Sequence, residues 1–165
     1  MLLHNNYKLA LLLLVLASAS IALETRATDS AATFSPVKLL FKQQDFILSD
    51  IRKFKSMLSA EIKTSSNTGE MSIIYQTFSS SALANSEFLF MSKTIAVGIR
   101  ESPFRVGEQV VWSSYGGTGG ILVLAGSTVF SVRASLKEVS VNEIEKLARL
   151  LASEGNPFAT MNITP

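Results

Sequence analysis

Two apolar runs, ILVLA and TVFSVRA, are joined only by Gly126-Ser127, and this juncture constrains the chain more than any other feature. A two-residue connection with glycine first suits the tight turns whose twist matches that of paired strands. The turn implies a register that sets Ala125 against Thr128, Val123 against Phe130 and Ile121 against Val132. Side chains alternate across a strand, so one face carries Ile121, Val123, Phe130 and Val132, the expected core face. The other face carries Leu122, Leu124, Val129 and Ser131. Three exposed aliphatic residues there would form a sizeable apolar surface, so the second helix is expected to cover them, with a binding face as the alternative.

The elements around the hairpin follow from local pattern. Residues 71–78 and 88–100 are rich in apolar, β-branched and aromatic types and predict two strands, the second supported by the alternation of Ile95, Val97 and Ile99. Residues 79–87 predict a loop with room for one helical turn over 81–86. Residues 108–115, EQVVWSSY, predict a further strand. Ser140 and Glu143 have the spacing of a capping box. The helix they open runs to about Ser153, aligns Ile144, Leu147, Ala148 and Leu151, and is stopped by Gly155 and Pro157.

Residues 37–63 contain neither Gly nor Pro, and Val37, Leu40, Phe41, Ile47, Leu48, Ile51, Phe54, Leu58 and Ile62 recur in steps of three and four. This predicts one long amphipathic helix, begun at Pro36 with Ser35 as N-cap and ended by the turn residues TSSNTG. On its far side Lys38, Lys42, Arg52, Lys53 and Lys63 make a basic face, either a solvated surface or one suited to an anionic membrane or an acidic partner. The whole is then one α+β domain over residues 37–155: a long N-terminal helix, about five mainly antiparallel strands and a C-terminal helix. Residues 156–165 form a tail.

The first residues set the compartment. LALLLLVL follows Lys8 and precedes the small residues ASASIA, the layout of a secretory signal over residues 1–22, cleaved between about 19 and 27. The uncharged stretch is 15 residues long, short of the ~18–20 needed to cross a bilayer. The expectation is therefore a secreted or periplasmic protein, with an uncleaved membrane anchor as the alternative. Residues 23–36 are polar and small, a flexible lead-in.

Cleavage sharpens the composition. The chain has no Cys, and its single His is His4, inside the signal. An exported domain would hold neither imidazole nor thiolate, which removes the Ser-His-Asp triad, the Cys nucleophile, disulfides and the usual zinc ligands. With 15 basic residues against 13 acidic ones, there is no electrostatic case for nucleic acid. Glu101, Glu108 and Glu138 show no paired spacing for carboxylate catalysis. Ser92-Lys93, adjacent on an expected strand, would face opposite ways. A carboxylate or Ser-Lys hydrolase remains the third reading.

The run Gly116-Gly117-Thr118-Gly119-Gly120 lacks the Lys and the following helix of a phosphate loop and is expected to be a hairpin connection. Trp112 and Tyr115 beside it are candidates for stacking a ligand, with Arg100 and Arg105 as anion contacts. No metal or cofactor is expected.

From Arg105 onward, VGEQVVWSSYGGTGGILVLAGSTVFSVRAS and the helix EIEKLARLLA resemble the C-terminal half of small extracytoplasmic α+β domains of bacterial lipoproteins and PsbP-like proteins. The resemblance spans residues 105–151 and implies a sheet, hairpin and final helix of that kind. This chain lacks the lipid-bearing Cys of the lipoproteins, and it places Ala125-Gly126 where a charged residue and Gly are common. Folds of this shape serve unrelated partners, so the resemblance implies architecture and leaves the ligand open, whether protein or small molecule. The reading of the chain is a non-catalytic binding or interaction domain.

Overall fold

The computed structural model describes residues 36–64, 69–95, 98–153 and 157–158. The expected signal over 1–22, nearly all of the expected lead-in over 23–36 and most of the expected tail over 156–165 lie outside them. The elements are α1 (Pro36–Gln43), β1 (Phe46–Phe54), β2 (Met57–Thr64), β3 (Glu70–Thr77), α2 (Ser81–Thr94), β4 (Ile99–Arg100), β5 (Gln109–Tyr115), β6 (Thr118–Ala125), β7 (Thr128–Ser135) and α3 (Val141–Ser153). The seven strands form one antiparallel sheet in the order β1-β2-β3-β7-β6-β5-β4. The chain is thus α+β, with seven strands where about five were expected.

The β6–β7 hairpin has the predicted register, Ala125 with Thr128, Val123 with Phe130 and Ile121 with Val132. Its core face joins the main core, where Leu58, Ala60, Ile62, Met71, Ile73 and Tyr75 of the neighbouring strands meet Ile144, Leu147, Ala148 and Leu151 of α3. Ser140 and Glu143 cap α3 reciprocally: the Ser140 N–H donates to the Glu143 carboxylate at 2.7 Å, and the Glu143 N–H donates to Ser140 Oγ at 3.3 Å. Phe158 also belongs to this core, its ring 5.7 Å from Phe41 and 5.2 Å from Tyr75.

Two expectations are corrected. The long helix over 37–63 is instead α1, β1 and β2. Its apolar residues fit a period of two as well as one of three to four: Phe46 and Leu48, then Leu58, Ala60 and Ile62, alternate into the core. The breaks occur without Gly or Pro. Asp45, Asp50 and Lys55 take φ of 63°, 43° and 51°. Asp45 ends α1, Asp50 sits at the bulge where the β1–β2 register shifts, and Lys55-Ser56 turns the hairpin. This left-handed region is uncommon for side-chain-bearing residues, with Asp and Asn enriched in it.

The strand expected over 88–100 is mostly α2, and only Ile99 and Arg100 pair with the sheet, through Ser113 and Trp112. Ser80 caps α2, its Oγ accepting the Leu83 N–H at 3.3 Å. This helix, rather than the C-terminal one, covers the second face of the hairpin. Ala84 and Phe88 bury Leu122, Leu124 and Val129, with Met91, Ile95 and Val111 packed around them. The sheet therefore lies between α1 with α3 on one side and α2 on the other. Among the described residues no helix is long and apolar enough to cross a membrane.

Candidate functional site

The residues singled out from sequence do not converge. Trp112 is buried in the main core, edge-on to Phe104 with ring centroids 6.2 Å apart. Tyr115, three residues on, projects from the opposite face of β5 and is 73% exposed. Arg100 is cross-strand from Trp112 on β4, and Arg105 lies exposed in the connection to β5. The glycine run is only a two-residue turn, Gly116 and Gly117, both with positive φ, as a tight hairpin between β5 and β6 requires. Gly119 and Gly120 belong to β6.

The five cations of the expected basic face are likewise dispersed. Lys38 and Lys42 are on α1, Arg52 and Lys53 on β1, and Lys63 on β2. Arg52 pairs with Asp50 at 2.7 Å and Lys63 with Glu70 at 2.7 Å. Glu61, cross-strand from Ser72, has its carboxyl pushed up by partial burial and by the charges of Glu70 and Asp50, with Arg52 opposing. On that row Ser49 Oγ donates to the Glu61 main-chain carbonyl at 3.2 Å, and Ser72 is the partner on the other side.

Ser92 and Lys93 lie on α2 rather than a strand, and Ser92 Oγ donates to the Leu89 carbonyl at 3.0 Å. A shallow depression of about 510 Å³ opens beside the Gly126-Ser127 turn, lined by Thr77, Glu108, Thr128 and Ala152 among others. Its one carboxylate, Glu108, already accepts the Gly126 N–H at 3.0 Å. Among the described residues no cluster of three or more His, Cys, Asp or Glu is placed to hold a metal ion.

The feature that the sequence did not announce is the outward side of α2. Ala84, Phe88, Met91 and Ile95 form its buried line. At ~100° per residue, Asn85 lies about 90° to one side of that line and hydrogen-bonds Gln109 of β5 at 3.0 Å. The arc left facing solvent holds Leu83, 53% exposed, Leu89, 45% exposed, and Phe90, 67% exposed, with Ala82, Ser86 and Lys93 between them. A surface helix ordinarily turns a polar face to water. Here the outward side also carries three large apolar residues, broken by Ser86 and Lys93, so residues 88–91 fit a strand as readily as a helix. The comparisons add no likeness: no family model, curated protein or solved structure matches the chain.

Proposed function

We propose that this chain is an exported, non-catalytic binding domain whose partner meets the outward side of α2. The observation that carries the reading is the exposure of Leu83, Leu89 and Phe90 on one short helix whose other side already fills a core. Exposed large apolar side chains cost solubility, and clusters of them mark interaction surfaces more often than scattered single residues do. The N-terminal apolar run supports export, and the absence of Cys with the sole His at position 4 supports binding over catalysis. The resemblance read from the sequence of residues 105–151 to extracytoplasmic α+β domains supports the same compartment.

A photoreactive amino acid placed at position 90 in the producing cell tests the surface. Crosslinks at position 90 and none at position 149, an exposed site on α3, are the expected result. Equal crosslinking at both, or none at either, overturns it. N-terminal sequencing of the exported protein tests the compartment: a start near residues 20–28 is expected, while an intact Met1 favours the alternative, an accessory protein anchored through its N-terminal run.

A further inference from the structure

We infer that the α2 side of the sheet is an isologous dimer interface, in which the α2 of each copy lies over the open strands β1–β3 of the other. This rests on the binding reading above and names its partner as a second copy of this chain. α2 packs on Val111, Leu122, Leu124 and Val129, that is on β5, β6 and β7. The same face of β1, β2 and β3 is left open beside it, and Ile47 and Ile74 there are 54% and 43% exposed. One half of the face is thus a helix ridge and the other a bare shelf.

That step is complementary to itself. Asn85 holds one flank of α2 toward Gln109 of β5. At ~100° per residue, Leu83, Glu87 and Phe90 fall on the other flank, toward the shelf. Three strands at ~4.8 Å spacing make a shelf ~14 Å wide, room for one helix of ~10 Å diameter. A two-fold axis through the step seats the ridge of each copy on the shelf of the other, and the two α2 helices then lie side by side between two sheets. A second copy fills the shelf and receives the ridge with a single patch.

Area and charge agree with this partner. Ile99, 47% exposed, and Tyr115, 73% exposed, stand on the same sheet face. Together with Ile47, Ile74, Leu83, Leu89 and Phe90 they leave on the order of 700–800 Å² of large apolar residues in water, taking ~200 Å² for each when fully exposed. That is more than the ~300–600 Å² of the largest patch on an ordinary monomer, and close to the ~800 Å² each partner buries in a stable interface. Of the charges on this face, Arg52 is paired with Asp50 and Lys63 with Glu70, each at 2.7 Å. The remaining Glu61 and Glu87 are balanced by Lys93 and Arg133. A patch without net charge gives no attraction to a polyanion, while both signs are available to pair across a two-fold axis.

Sedimentation velocity on the protein purified from the producing cell tests the inference. A monomer–dimer equilibrium with a Kd of ~10 μM or tighter is expected for an interface of this size. Phe90→Glu on the ridge and Ile74→Arg on the shelf should each raise Kd by at least about tenfold, while Arg149→Ala on α3, across the sheet, should leave it unchanged. Neither position 90 nor position 74 is in a core, so both variants should keep the circular dichroism of the parent and, at concentrations where the parent is monomeric, its urea midpoint. In an equimolar mixture the two variants should associate more tightly than either does alone. The mixed dimer places the new carboxylate against the new guanidinium at one contact and keeps the parental pair at the other.

A chain that stays monomeric at about 500 μM would overturn the inference. So would a dimer that Phe90→Glu weakens and Ile74→Arg does not, or variants that gain nothing on mixing, because either result removes the ridge from the shelf. In the crosslinking experiment a species of twice the chain mass at position 90 is expected. An adduct to a different protein there, with a monomeric chain in sedimentation, would overturn the second copy while leaving the binding surface standing; a monomer with no adduct at position 90 would remove both.

Discussion

Asn85 and Gln109 join α2 to β5 through a 3.0 Å side-chain hydrogen bond, and this contact helps set the rotation of α2 on the sheet. The same rotation that buries Ala84 and Phe88 turns Leu83 and Phe90 outward. Because the pair is solvent-exposed, Asn85→Ala should cost no more than about 1 kcal/mol. Urea unfolding followed by circular dichroism would measure it, and a larger loss would mean that the bond anchors the whole helix.

Two phenylalanines two positions apart should behave oppositely. Phe88 is buried against Leu122, Leu124 and Val129, so Phe88→Ala should cost about 3–5 kcal/mol. Phe90→Ala should stay within about 0.5 kcal/mol of the parent. Comparable losses for both would show that α2 is rotated from the position described.

Gly119 leaves space for a neighbour. A Cβ there would meet Leu136 Cδ2 at 2.6 Å. Gly119→Ala should destabilise by about 1–3 kcal/mol, and part of that loss should disappear on a Leu136→Ala background. A double-mutant cycle in denaturant measures the coupling, and strict additivity would contradict the contact.

Glu61 should make stability pH-dependent. Its carboxyl in the fold titrates above the ordinary 4.5, chiefly through burial, then through Glu70 and Asp50. The folded protein therefore holds this proton more tightly than the unfolded chain does, and stability declines as pH rises from the ordinary value through the raised one. Glu61→Gln should leave stability unchanged at pH 3 and raise it slightly at pH 7, by less than about 1 kcal/mol because the group is largely solvated. Melting temperatures at the two pH values check the sign.

Burial likewise pushes the Tyr75 phenol up, against a lowering hydrogen bond with Thr128. The unfolded chain ionises first, so stability should fall above pH 10. Tyr75→Phe should remove that alkaline dependence at a neutral-pH cost of about 1 kcal/mol, read from unfolding midpoints at pH 7 and 11.

Where local chemistry was strong and unambiguous, sequence determined structure. The Gly126-Ser127 turn between two apolar runs has one satisfactory register, and the structure has it. Ser140 and Glu143 needed only each other, three residues apart, to open α3. Residues 37–63 were ambiguous because their spacing satisfies both helix and strand periods, and their chain reversals use Asp45, Asp50 and Lys55 rather than Gly or Pro. One of these left-handed residues, Asp45, also pairs with Lys146 at 3.0 Å, a contact between positions 101 residues apart that no local pattern announces.

The surface of α2 was settled by tertiary structure alone. Residues 88–91, Phe-Leu-Phe-Met, carry apolar side chains in every direction, so no period separates inward from outward. Only docking against β5, β6 and β7 decides that Phe88 is core and Phe90 is surface. Composition excluded thiolate chemistry and left a single imidazole, at His4, and local pattern placed the hairpin and its capped helix. Packing decided which apolar residues were left facing solvent, because burial depends on what lies above a side chain and not on the side chain itself.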